Sequence, residues 1–180
     1  MVIGAYNYLK NTENKSIIHG STIGIEDDVT NLSLPYETYN TGDASVYNAK
    51  FYGLGSDGTV GANKNSIKVI GDYTEKHVQG YFVYDSKKAG GVTVSHLRFS
   101  DKPILSSYLI EHPHFVAIHN QEFIGRYDML CGIREGATVL INTQQPAETV
   151  FRMFPEKDQK TIIEKKLKLY SIDAYKVAMD

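Results

Sequence analysis

Along the first 47 residues, apolar positions come as scattered pairs among Asn, Thr, Ser, Gly and Tyr, with no sustained helical or alternating period. Residues 1–47 therefore read as an irregular, extended linker. From residue 48 to 180 the rhythm changes, and short apolar runs alternate with segments of helical spacing. Strands are expected at "AKFYGL" (49–54), "VQGYFVYD" (78–85), "VTVSHLRF" (92–99), "HFVAIHN" (114–120) and "GATVLINT" (136–143). Helices are expected from Thr59 or Val60 through "ANKNSIKVIGDYTE", over "QEFIGRYDMLCGI" (121–133) and over "AETVFRMFPEKDQKTIIEKK" (147–166). A last short strand in "LKLYSI" precedes an incipient C-terminal helix. Alternation of this kind predicts an α/β fold, a three-layer α/β/α sandwich around a mostly parallel, mixed sheet.

The strongest local signal is "FYGLGSDGTVGANKN", Phe51 to Asn65. Here a strand runs into a glycine-rich turn and then a helix start, which aims backbone N–H groups and the positive end of a helix dipole at one point, where an anion is stabilised. Gly55, Ser56, Asp57, Gly58, Thr59 and Gly61 are placed around one phosphate group, with Asn63 and Lys64 close by. Gly53, Gly55 and Gly58 also spell G-x-G-x-x-G, and Asp85 ends the next strand where a ribose hydroxyl is met in dinucleotide sites, although it comes late for that motif. Ser86, Lys87 and Lys88 follow it, and two ammonium groups suit additional phosphates better than the plain diphosphate of NAD. A P-loop is excluded by spacing, because Asn63 rather than Gly precedes Lys64. The bland alternative is a tight strand-to-helix turn.

Charge and cysteine content narrow the class. Nineteen Lys and Arg against twenty-one Asp and Glu give no global pull toward nucleic acid or an anionic membrane. Cys131 is the only cysteine, so neither a disulfide nor a cysteine-ligated cluster forms within the chain, and core burial is its expected role. No apolar run of membrane-spanning length and no signal peptide is seen, which fits a cytoplasmic location. In "VTVSHLRF", His96 and Arg98 share a strand face; they either point to a ligand or interface, or His96 bonds within the fold and Arg98 pairs with a carboxylate such as Asp101. His112, His114 and His119 lack the carboxylate that would complete a familiar metal set and read as loop contacts to neighbouring domains. Tyr6, Tyr8, Tyr36, Tyr39 and Tyr47 crowd the N-terminal part, as in a segment lying across a partner or, in the isolated piece, a disordered tail.

"GLGSDGTVGANKNSIKVIG", "QGYFVYDSKKAGGVTVSHLRF" and "RYDML…GATVLIN", with "IGIEDDVTNLSLPY" before them, resemble the gamma-type domain of the thiamine-dependent pyruvate:ferredoxin or flavodoxin oxidoreductases. The resemblance implies an excised domain, third in the long single-chain members, from a cytoplasmic, homodimeric enzyme of anaerobic metabolism. That family converts pyruvate, coenzyme A and an oxidised carrier to acetyl-CoA, CO2 and reduced carrier. By the same resemblance coenzyme A is the ligand of this domain, while thiamine diphosphate, Mg and [4Fe-4S] clusters belong to other domains, which are its partners together with ferredoxin or flavodoxin. The isolated chain is expected to be inactive. An NAD(P)-binding Rossmann enzyme and a structural interdomain spacer are the competing functions.

Overall fold

The computed structural model describes residues 1–10, 20–25, 28–37, 42–85 and 90–179. The chain divides into two compact units, Met1–Thr41 and Gly42–Asp180. In the first, helix α1 (Val2–Lys10) and two short parallel strands, β1 (Thr22–Ile23) and β2 (Ser33–Leu34), replace the wholly irregular chain expected. Propensity does not explain α1; close approach does. A Cβ at Gly4 would stand 2.8 Å from both Ile23 Cδ1 and Tyr36 Cβ, so the missing side chain lets the helix lie against them. Tyr39 lies outside the described residues.

The second unit contains β3 (Tyr47–Leu54), α2 (Thr59–Tyr73), β4 (His77–Tyr84), β5 (Val92–Ser100), β6 (Phe115–Ile118), β7 (Thr138–Asn142), α3 (Ala147–Val150), α4 (Glu156–Glu164), β8 (Lys168–Ile172) and α5 (Ala174–Met179). The six strands order as β4-β5-β3-β6-β7-β8. β3, β6, β7 and β8 pair in parallel, and β5 runs against both of its neighbours. The sheet is thus mixed and mostly parallel, as the sequence indicates.

Register decides which residues meet which layer. Val78, Gly80 and Phe82 share a face with Leu97 and Ser95 of β5 and with Ala49, Phe51 and Gly53 of β3. α2 lies on that face: Ile67 occupies the space a side chain at Gly80 would fill, and a Cβ at Gly71 would stand 3.2 Å from Val78. On the other face Tyr52, Val116, Ile118, Val139 and Ile141 form the main core with Phe123, Met129, Leu130, Ile133, Val150, Phe154 and Ile162. Fully burying each of these aliphatic or aromatic side chains contributes about 1.5–3 kcal/mol.

Two helical expectations are revised. Residues 121–133 form only a 3-10 turn at Gln121–Phe123, and then successive turns. Gly125 and Gly132 sit at φ 80° and 70°, which ends helical progress even though the buried Phe123, Met129, Leu130 and Ile133 follow helical spacing. The turn at Gly132 leaves Cys131 exposed rather than in the core. Within 147–166 the helix is broken at Phe154, which is extended (ψ 143°) because Pro155 follows; α4 restarts beyond the proline.

Over the antiparallel half of the core face a loop takes the place of a helix. Gln79 Nε2 donates to the Ser106 carbonyl, Arg98 to the Tyr108 carbonyl, and the Ile110 N–H donates to His96 Nδ1. Three buried or half-buried polar side chains thereby tie every second residue of the 106–110 segment to the sheet. Arg98 does not pair with Asp101, whose exposed carboxylate meets Lys76 instead.

Candidate functional site

The connection from β3 leads through α2 toward β4, whereas that from β6 leads toward β7 on the opposite side, so the sheet has its topological switch point between β3 and β6. Loops at the carboxyl ends of strands diverge there and leave a crevice, the usual ligand position in such sheets. A cleft of about 830 Å³ occupies this place, lined by Leu54, Asp57, Thr59, His119, Asn120, Gln121, Glu122, Leu140, Asn142, Thr143, Gln144, Gln145, Ile172, Ala174, Tyr175 and Ala178.

On the β3 side the glycine loop binds a carboxylate of its own. Asp57 Oδ2 accepts from the Leu54 N–H at 2.7 Å and Oδ1 from the Thr59 N–H at 2.8 Å. Gly58, at φ 81°, is the helix N-cap and offers no side-chain bond. The first internal bond of α2 runs from Ala62 N–H to the Gly58 carbonyl, so the amides of Val60 and Gly61 remain without a partner among the described residues. The loop is therefore half satisfied internally and half available to an external anion. Replacing Asp57 by Ala is expected to destabilise the protein by about 1 kcal/mol and to raise its affinity for inorganic diphosphate. Urea unfolding and a phosphorus NMR titration read these two effects; unchanged values in both would remove Asp57 from the loop's hydrogen bonding.

The two loops meet across the switch point through Thr59 Oγ1 and His119 Nδ1, 2.7 Å apart. Thr59 is 3% exposed and its hydroxyl has no other acceptor among the described residues. If the imidazole donated, the hydroxyl proton would be buried unpaired, at a cost of about 1–3 kcal/mol. The hydroxyl therefore donates to Nδ1, and the proton of the neutral ring sits on Nε2, on the opposite edge. Burial holds the His119 pKa below its ordinary value, with Asp57 pulling weakly the other way. Asn142 joins the remaining walls: its Nδ2 donates to the His119 carbonyl at 3.2 Å and its Oδ1 accepts from the Ala174 N–H that begins α5.

The other expected site residues disperse. Asn63 is 4% exposed on the buried face of α2, with Nδ2 unpartnered among the described residues, and is not at the surface of the loop. Lys64 is exposed over the Phe82 ring, 5.4 Å from its centroid, and does not line the cleft. Gly55, Ser56 and Gly61 are exposed at the loop and the first turn of α2. Asp85 directly follows β4, which β5 separates from β3, so it lies two strands, about 10 Å, from the loop's strand. That is one strand farther than in dinucleotide sites, where the acidic residue ends the strand beside the loop's own. Ser86, Lys87 and Lys88 lie outside the described residues.

His112 and His114 also bond within the fold. His112 Nδ1 donates to the Gly132 carbonyl, and His114 Nδ1 accepts from the Asn48 N–H while its ring stacks on Tyr47. His119, expected as a loop contact to neighbouring domains, and Asn120, Asn142 and Thr143, which no motif singles out, stand in "IHN" and "INT" at the ends of buried apolar strands. That position, the carboxyl end of a parallel strand, is the signal by which they are found.

Comparison with known proteins agrees with this architecture. Residues 48–180 match the sequence profile of the family described as pyruvate ferredoxin/flavodoxin oxidoreductase. Over 160 residues, 88% of the chain, the sequence is 52% identical to the pyruvate:ferredoxin oxidoreductase of Moorella thermoacetica, of whose length it covers 14%. The fold resembles the pyruvate oxidoreductase subunit PORC of Thermotoga maritima, with a TM-score of 0.58 and 18% identity over 75% of this chain and 66% of that one. It also resembles the 2-oxoglutarate:ferredoxin oxidoreductase of Magnetococcus marinus, solved with 2-oxoglutarate, coenzyme A and succinyl-CoA bound, with a TM-score of 0.53 and 14% identity over 76% of this chain and 21% of that one. The chain belongs to the pyruvate ferredoxin/flavodoxin oxidoreductase family.

Proposed function

We propose that this chain is the coenzyme-A-positioning part of an oxidoreductase that converts pyruvate, coenzyme A and oxidised ferredoxin or flavodoxin to acetyl-CoA, CO2 and reduced carrier. The observation that carries the reading is the juxtaposition of unpartnered amides at the start of α2 with the cleft at the switch point. Coenzyme A needs both features, an anion site for its diphosphate and a groove for its uncharged segments. The bound coenzyme A of the Magnetococcus marinus enzyme, whose fold is similar, supports the assignment. In it, Gly55, Ser56, Gly58, Thr59 and Gly61 surround one phosphate group, to which the free amides of Val60 and Gly61 donate, and Ser86, Lys87 and Lys88 take another.

The chemical contribution is proximity: holding the thiol where an acyl group arises turns an encounter into an intramolecular step. Thiamine diphosphate and its Mg, together with the iron–sulfur clusters, are assigned to other parts of the enzyme. A single cysteine does not ligate a cluster.

Calorimetric titration of the 180-residue chain with coenzyme A, 3′-dephospho-coenzyme A and NADP tests the proposal. Coenzyme A is expected to bind, several-fold more weakly without its 3′-phosphate, and NADP to bind least. NADP binding tighter than coenzyme A would overturn the assignment.

A further inference from the structure

We infer that the cleft beside His119 holds the uncharged, amide-bearing part of the ligand, and that the His119 Nε2–H donates to a carbonyl oxygen of that part. This rests on the coenzyme A reading, in which the segment is the pantetheine arm, an aliphatic chain interrupted by two amides. Three observations favour it over occupation by a phosphate or by another charged group.

The first is charge. Among the described residues, the cleft's lining includes the carboxylates of Asp57 and Glu122 and no Lys or Arg. An anionic group placed inside would lose hydration without gaining a counter-charge. The phosphates therefore stay at the mouth, on the loop amides.

The second is the match of polarity. Leu140 and Ile172 give the walls aliphatic surface, while side-chain amides such as Asn120 and Gln144 supply both donors and acceptors. A volume of about 830 Å³ falls in the range of small-molecule pockets.

The third is preorganisation of the donor. His119 Nδ1 is engaged by Thr59, its carbonyl is held by Asn142, and its Nε2 has no partner among the described residues. The ring lines the cleft with its one N–H on the edge away from Thr59. Because Asn142 also holds the Ala174 amide, this donor and the start of α5 keep a fixed separation. A neutral N–H suits a carbonyl acceptor, and burial of the ring keeps it neutral near pH 7.

Nitrogen-15 NMR of the histidine side chains in the 180-residue chain tests this, with pantetheine and 3′,5′-ADP as separate probes beside intact coenzyme A. Pantetheine should shift the protonated Nε2 of His119 and leave its Nδ1 bonded, and 3′,5′-ADP should leave both unmoved. His119→Ala should weaken pantetheine about tenfold, the size of one good hydrogen bond, and leave 3′,5′-ADP within about twofold; His119→Gln, which keeps an N–H donor, should recover part of the loss. The wild-type shifts need no variant, so a substitution that fails to fold does not block the test. Pantetheine leaving His119 unmoved, or 3′,5′-ADP shifting it in pantetheine's place, overturns the inference whatever coenzyme A does. Pantetheine shifting His119 while intact coenzyme A fails to bind supports the cleft's chemistry and overturns the coenzyme A assignment alone.

Discussion

Acidification from pH 7 to pH 4 is expected to lower the unfolding free energy, with His96 carrying the largest share, about 3 kcal/mol. The ring is 5% exposed, and its Nδ1 accepts the Ile110 N–H, so a second ring proton would face a donor. Burial first, then the neighbouring Lys50 and Arg98 charges, push its pKa down from 6.5 to about 4. In the unfolded chain the ring takes up a proton once the pH falls below about 6.5, whereas the folded protein resists until about 4. The unfolded state thus binds more protons throughout this window, and stability falls as the pH falls through it. The contribution is fully present above the unfolded value and gone below the folded one. His114 and His119 are displaced in the same direction by burial and add to the slope, while Asp158, raised by burial, acts against it. Urea unfolding at a series of pH values, for wild type and His96→Gln, isolates the effect: the difference between the two should change by about 3 kcal/mol across the window. A constant difference would mean that folding leaves the His96 proton affinity unaltered.

The three acceptor histidines also show how sequence and structure divide the information. "VTVSHLRF", "HFVAIHN" and "GATVLINT" display the strands because their apolar residues follow a local rule. The glycine loop was equally plain, since positive φ at Gly58 and the missing side chain at Gly53, where a Cβ would stand 2.8 Å from Asp57 Oδ2, are local demands. What the loop binds was less plain. Asp57 reads as one more polar turn residue until its carboxylate is seen on the Leu54 and Thr59 amides, which leaves those of Val60 and Gly61 for an anion. The pairing of Thr59 with His119 spans 60 residues, and Asn142 reaches Ala174 across 32, so both depend on strand order. No periodicity carries strand order. Insertion of β5 between β3 and β4, which removes Asp85 from the loop, is invisible for the same reason. In residues 121–133 the apolar spacing predicts a helix, whereas two left-handed glycines fold the segment into turns that cover the core.

The substitution expected to damage the fold most is Arg98→Ala, at about 3–5 kcal/mol. Arg98 is 3% exposed and has no carboxylate partner among the described residues, so its charge is compensated by dipoles and a ring. One guanidinium nitrogen donates to Gln79 Oε1 at 2.7 Å, another to the Tyr108 carbonyl, and the plane lies 5.2 Å from the centroid of the Tyr108 ring. Truncation takes the donor from two acceptors and leaves a void beneath the loop. Arg98→Met separates these costs, because it keeps most of the stem and removes only the charged hydrogen bonds. Arg98→Lys fills the space yet lacks the planar fork that reaches both acceptors at once. If the hydrogen bonds hold the 106–110 segment, all three variants should lose amide-exchange protection at Ile110, whose N–H depends on the neighbouring His96 rather than on Arg98 itself. Met should then be nearly as destabilising as Ala. Were Met to restore stability while Ala did not, the side chain would be acting as a spacer, and the loop would owe its position to packing, with the buried charge carried along at a cost.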